Sequence, residues 1–190
     1  MISINVLLTT IGRDELKNRM LPSLVNQLMP QDYLTIVSDL NHNFVAECIG
    51  SFNFICTVIH IRNPLALGYW GHASRSKYQN NLLGDYIINA DDDDYFTIEA
   101  FSVIRDCAIE LDTVYIFKLQ NKENFAWKEC GLVAVGNIGT PCGLIPNTGN
   151  LPEWIHFYGG DGNFYEALYE LMDYKFEFID FVIYKVGDTL

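Results

Sequence analysis

Apolar and polar positions along the chain follow one rhythm up to about residue 112 and another beyond it. Ile2 to Thr9 is a nearly unbroken apolar and β-branched run, which reads as a buried strand, and Gly12 ends it. Leu16, Met20, Leu24 and Leu28 then recur at helical spacing up to Pro30. Tyr33 to Val37 and Phe54 to Ile61 read as further strands, with a helix over 42–50 between them. A helix over about 70–83 precedes a fourth strand, Tyr86 to Ala90. Ile98, Phe101, Ile104, Cys107, Ala108 and Leu111 mark the helix that follows.

Strand–helix alternation of this kind predicts a mostly parallel sheet with helices on its faces. Beyond it, Val114 to Leu119 and Gly131 to Val135 read as an antiparallel pair joined across 121–124. Residues 136–152 are dense in Gly, Pro and Asn and read as a long loop, functional or disordered. Asp161 to Met172 is expected to form a last helix and Phe176 to Tyr184 a last strand. The expected class is α/β, with a small antiparallel portion in the C-terminal third. A single domain over 1–190 accounts for the length.

Composition narrows the function classes. The chain is 49% hydrophobic, enough for one core, and its net charge of −12 argues against a nucleic-acid or anionic-membrane surface. Five cysteines, with no CxxC pair, suggest reduced thiols and a cytoplasmic setting rather than a disulfide framework or a zinc knuckle. Neither a secretory signal nor a run long enough to span a membrane is expected.

The chemistry concentrates in YIINADDDDYF, where an apolar strand ends in Asp91, Asp92, Asp93 and Asp94. Like charges about 4 Å apart repel by ~1 kcal/mol even in water. Four together call for an exposed turn, a helix N-terminus or a bound cation. Ligands of open α/β sheets bind at the carboxyl ends of the strands, where these residues lie. Carboxylates there suit Mg²⁺, Mn²⁺ or Ca²⁺. The plainer reading, Asp94 capping the next helix, explains one or two aspartates but not four. An EF-hand loop fails because Tyr95 and Phe96 stand where ligands and the turn glycine are needed. A haloacid-dehalogenase-type phosphatase uses Asp-X-Asp after its first strand rather than its fourth, and stays open as a metal-dependent phosphohydrolase. Neither GxGxxG nor GxxxxGK[ST] occurs, so a diphosphate would be held by metal and cations instead of a glycine cradle.

Several stretches together resemble the nucleotide-sugar-dependent glycosyltransferases of the GT-A fold, including small virus-encoded members. TTIGRDELKNRMLPSLVNQ resembles their opening strand, Arg-containing turn and first helix, and VSD at 37–39 the end of their second strand. GHASRSKYQNNLLGDYIINADDDD resembles an Arg-bearing helix followed by the metal motif, and HFYGGDGNFYEALYEL a late helix with an acidic start. The resemblance implies a GT-A (Rossmann-like) fold with a nucleotide-sugar half over 1–112 and an acceptor half over 113–190. It implies that Asp93, with Asp91, binds Mn²⁺ or Mg²⁺, that Asp91 also contacts the ribose, and that Asp92 or Asp94 assists through water. Asp39 would accept the N3–H of uracil. Thr9 and Arg13 would line the nucleotide pocket, and Arg75 would reach the nucleotide from its helix. Asp161 would be the catalytic base.

Each residue has a plainer role open to it. Asp39 could cap the segment at Asn41 and His42, Thr9 could be a strand end, Arg13 could neutralise Asp14, and Asp161 could be an N-cap. His156 and His72 could be packed rather than functional. Trp70, Trp154 and Tyr158 could stack on a sugar or belong to the core. The implied activity is metal-dependent hexosyl or pentosyl transfer, inverting if Asp161 is the base. It would run from a nucleoside-diphosphate sugar, UDP-linked in the first instance, to a glycan or glycoprotein acceptor, in the cytoplasm of a host cell if the chain is viral. A catalytically silent sugar- or metal-binding module is the other alternative.

Overall fold

A computed structural model describes residues 2–187 apart from 123, 127, 128, 158 and 174. Among the described residues nine strands form one mixed sheet: β1 (Ile4–Thr10), β2 (Tyr33–Ser38), β3 (Thr57–Arg62), β4 (Tyr86–Asp91), β5 (Tyr95–Phe96), β6 (Val114–Asn121), β7 (Asn124–Ala126), β8 (Gly143–Pro146) and β9 (Phe176–Lys185). Their order is β3-β2-β1-β4-β8-β6-β9-β5, with β7 pairing on β6. The first four strands run parallel, whereas β8 is antiparallel to both β4 and β6. β6 and β9 are parallel to each other.

All seven residues of β1 are buried, as a central strand with both faces covered requires. A π-helical turn at Leu16–Met20 leads into α1 (Leu21–Val25), and Leu16, Met20, Leu24 and Leu28 are all buried as their spacing predicts. Each such burial contributes roughly 2 kcal/mol. The other helices are α2 (His42–Gly50), α3 (His72–Tyr78), α4 (Ala100–Cys107) and α5 (Gly160–Leu171). Asp32, fully buried between α1 and β2, accepts the backbone N–H of Ile4 and Met29 and pairs with Arg105 of α4.

Four expectations need correction. The third strand begins at Thr57, not Phe54. The helix after the aspartates is only Ala100–Cys107, and Ile98 and Leu111 lie exposed outside it. Gly131–Val135 is irregular rather than a strand, and β6 pairs with Asn124–Ala126 instead. The stretch over 136–152 contains β8, a buried strand in the middle of the sheet. Its glycine is there for close packing: a Cβ on Gly143 would lie 2.6 Å from the Tyr165 ring. All five cysteines are free. Among the described residues no helix is long and apolar enough to cross a membrane.

Candidate active site

The chain runs outward from β1 to β2 and β3, then returns to place β4 on the other side of β1. The carboxyl ends of β1 and β4 therefore flank the point where strand order reverses, where open α/β sheets bind ligands. Register puts Thr9 beside Val37 and Asp91. A cavity of about 680 Å³ opens there, and Thr9, Arg13, Asp39, Asp91, Asp92, Asp93 and Asp161 all line it.

The four aspartates alternate. Asp92 and Asp94 are buried, whereas Asp91 and Asp93 are half-buried, facing the opening. Asp92 accepts Thr10 Oγ1 at 2.6 Å and the Ile11 N–H at 3.2 Å through Oδ2, and Arg13 Nη1 at 3.2 Å through Oδ1. Asp94 Oδ1 accepts the Gly187 N–H at 2.8 Å. Asp94 does not cap α4, which begins six residues later. Burial raises the pKa of Asp92 and pushes that of Asp94 up to about 7. The run thus avoids much of its self-repulsion by turning alternate carboxylates inward, where the proton is held more tightly. With three donors on its carboxylate, Asp92 braces the turn.

Asp91 Oδ1 accepts Arg75 Nη2 at 2.5 Å and Thr9 Oγ1 at 3.3 Å. Tyr184, fully buried on β9, bonds the Asp91 backbone from behind: its hydroxyl accepts the N–H at 2.9 Å and lies 3.3 Å from the carbonyl oxygen. Arg13 pairs with Asp93 and Asp92 and not with Asp14. Asp91 Oδ2 and Asp93 Oδ1 accept no protein hydrogen bond among the described residues. Two such carboxylates facing one cavity fit a divalent ion that takes its remaining ligands from phosphate oxygens and water. Among the described residues no three His, Cys, Asp or Glu side chains group as a self-sufficient metal site.

Arg75 departs from its expected role. It is fully buried, bonding Asp91, Thr9 Oγ1 (3.1 Å), the Trp70 carbonyl (2.9 Å) and the Ala90 carbonyl (3.2 Å), with its guanidinium 5.4 Å from the Trp154 ring. It lies beneath the cavity and orients Asp91; it does not reach into the opening. Trp154 is likewise core, stacked on Phe164 at 4.0 Å with its Nε1–H donated to Gln79, so it offers no face to a sugar. Tyr158 lies outside the described residues. His156 is exposed and stacks on Tyr69 at 5.0 Å.

Asp161 sits in the first turn of α5, whose N-cap is Gly159 at φ +88°. It is not the cap, and among the described residues the one hydrogen bond it accepts is from the neighbouring Gly162 N–H, at 3.0 Å. Gly162 is needed because a Cβ there would meet Val135 Cα at 2.3 Å, which draws 135–136 to the cavity wall. His72 donates its Nδ1–H to the Ile155 carbonyl at 2.9 Å, leaving Nε2 as the acceptor. Burial lowers its pKa, favouring that neutral form.

Sequence reasoning missed Thr10, Tyr184 and the turn Gly68–Gly71. That turn holds four successive positive φ values, 69°, 56°, 51° and 80°, including Tyr69 and Trp70. A left-handed conformation costs a non-glycine residue roughly 1–2 kcal/mol. The flanking glycines in LGYWGH were the available signal.

Solved structures share this architecture. S. aureus TarS 1–349 superposes with a TM-score of 0.72 at 17% identity, over 98% of this chain and 60% of that one. TarS 1–349 in complex with UDP-GlcNAc gives 0.74 at 16% identity, over 100% and 59%. The mannosyltransferase PcManGT from Pyrobaculum calidifontis, in complex with GDP-Man and Mn²⁺, gives 0.71 at 10% identity, over 96% and 56%. The chain thus spans no more than 60% of the length of each. At these identities the likeness establishes the fold, which is that of the GT-A glycosyltransferases. No protein-family model and no curated protein matches the sequence.

Proposed function

We propose that the chain is a metal-dependent glycosyltransferase that moves a sugar from a nucleoside-diphosphate sugar to an acceptor hydroxyl with inversion. The observation that carries this reading is the convergence of Asp91, Asp93 and Asp161 on one cavity at the strand-order reversal. The GT-A fold supports it, as do the UDP-GlcNAc and GDP-Man with Mn²⁺ held by similar structures. UDP-linked donors are the first to test.

Asp91 and Asp93 would hold Mn²⁺ or Mg²⁺, which when bound neutralises charge on the diphosphate. Thr9 and Arg75 fix Asp91 from below, so its free oxygen is oriented before ligand arrives. Arg13 adds a partly exposed positive charge at the cavity edge, which could exchange Asp93 for a phosphate oxygen. Asp161 takes the proton of the acceptor hydroxyl as that oxygen attacks the anomeric carbon. The new C–O bond forms as the bond to the diphosphate breaks on the opposite face, giving inversion. Residues 113–190, which supply Asp161, Gly136 and Thr140, form the acceptor side, suited to a glycan or glycoprotein hydroxyl.

The test is incubation with a panel of nucleotide sugars and Mn²⁺, reading transfer or slow donor hydrolysis by mass spectrometry. Sugar release that stops on chelation supports the reading. Phosphate release from simple phosphate esters would favour a phosphohydrolase, and donor binding without turnover a silent binding module.

A further inference from the structure

Resting on that nucleotide-sugar reading, we propose that His72 is a positioning residue for the base. Through the Ile155 carbonyl it sets the start of α5, and with it Asp161, against the Asp91 carboxylate.

The segment over 151–156 forms neither helix nor strand, so its backbone groups need partners from elsewhere. One face of α3, and of the 3₁₀ turn that continues it, supplies them. Asn80 accepts the Leu151 N–H at 2.6 Å and donates to the Leu151 carbonyl at 3.1 Å. Gln79 donates to the Pro152 carbonyl at 2.7 Å, and Ser76 Oγ accepts the Trp154 N–H at 2.7 Å. His72 closes the series at the Ile155 carbonyl, 2.9 Å from Nδ1. Positions 72, 76, 79 and 80 are neighbours on one helical face, and they engage the segment in reverse order along its length.

His72 holds the end of this clamp nearest Asp161. A carbonyl can only accept, so Nδ1 carries the proton and the tautomer is set. The same carbonyl accepts the Phe157 N–H at 3.0 Å, and the Phe157 carbonyl accepts the Gly160 N–H at 3.0 Å. Gly160 packs directly on this node: a Cβ there would lie 2.2 Å from the Ile155 oxygen and 3.2 Å from His72 Nδ1. Asp161 is the next residue. About one turn along α3 from His72, Arg75 bonds Asp91. The buried Trp154 ring lies 5.3 Å from the His72 ring and 5.4 Å from the Arg75 guanidinium, which packs the two side chains as one unit. One turn of helix thus supports both the proposed metal carboxylate and the proposed base. Misplacing a reacting group by about 1 Å can cost about 10²-fold in rate, so a shift at this node should register in turnover.

Three variants separate the two ring nitrogens. His72→Asn keeps an amide donor near the position of Nδ1, His72→Gln places its amide near Nε2, and His72→Leu removes both. We expect His72→Leu and His72→Gln to lower kcat by about tenfold or more, while UDP affinity with Mn²⁺ stays within about threefold. His72→Asn should restore kcat to within about threefold of wild type. In the ligand-free protein, hydrogen exchange at the Phe157 and Gly160 amides should quicken in the Leu and Gln variants, with β1 and β4 unchanged, and return towards the wild-type rate in the Asn variant. The two polar variants keep the comparison intact if His72→Leu does not fold. Recovery of turnover by Gln and not by Asn would show that Nε2 acts on the ligand, and would overturn the positioning role. Quickened exchange with unchanged kcat would cut the link to Asp161, and unchanged exchange in every variant would remove the clamp. If wild type turns over no nucleotide sugar, the nucleotide-sugar reading fails and the positioning role with it, while exchange still decides whether His72 holds the start of α5.

Discussion

On the cavity wall built by β1, β2 and β4, Asp39 and Asp92 are each at most 6% exposed and bonded by three or more donors. On the facing wall, Asp161 bonds only its neighbour's N–H among the described residues, and the surrounding positions are Val135, Gly136 and Gly159, with the two glycines at positive φ. The first wall is densely bonded without any ligand, and among the described residues few bonds hold Asp161 on the second. Under the proposed function, that difference would suit a donor whose diphosphate is gripped in one geometry and an acceptor that approaches and leaves. It also predicts that changes on the two walls will fail differently.

The largest effect is expected at Asp161. Asp161→Asn should lower turnover by about 10²–10⁴-fold while UDP affinity stays within about twofold, read by steady-state kinetics and calorimetry. Full turnover would remove the base and blur the division between the walls. Asp93→Asn should do the reverse on the donor wall, weakening Mn²⁺-dependent UDP binding by about 10–100-fold with the fold intact. Next, Gly71→Ala should cost about 1–3 kcal/mol of stability in urea unfolding, since its Cβ meets Thr9 Oγ1 in a left-handed backbone. Gly136→Ala, with nothing within 4 Å of its added Cβ, should cost less. Equal losses would mean that the two walls are alike in rigidity.

The smallest effect concerns pH. Burial holds the His72 imidazole below its ordinary 6.5. As pH falls below about 6.5 the unfolded chain takes up this proton before the folded one does, so stability present above that pH is lost through the folded pKa. Asp94, pushed up to about 7, acts in the opposite sense: its contribution is present below about 4 and is lost as pH rises through 7. The difference between wild type and His72→Gln isolates the histidine. Between pH 7.5 and 5.5 the variant's urea midpoint should fall less than that of wild type. An identical fall would show that His72 is not held neutral.

Much of the parallel half was legible, because β1, β2 and β4 are apolar runs and Leu16, Met20, Leu24 and Leu28 keep strict helical spacing. The hidden strand β8 was not. Gly143 and Pro146 read as loop formers, whereas Gly143 makes room for Tyr165 and Pro146 ends a strand of only four residues. In the site, Thr9, Asp39 and Asp91 could be placed at one cavity because the carboxyl ends of neighbouring parallel strands converge. Residue types and positions did not foretell which carboxylates turn inward. That depends on long-range partners such as Thr10 for Asp92, Gly187 for Asp94 and Leu67 for Asp39. Arg75 misled for the same reason: nothing local shows that Asp91 and Thr9 would claim it from below.

The most direct test of the account is the anomalous-scattering map of a crystal grown with Mn²⁺ and UDP. It should show one strong peak contacting the Asp91 and Asp93 carboxylates and oxygens of both phosphates, with Asp92 and Asp94 still turned into the protein. A nucleotide bound in the cavity with no peak at these aspartates, or a peak held by Asp92 and Asp94 instead, would contradict it.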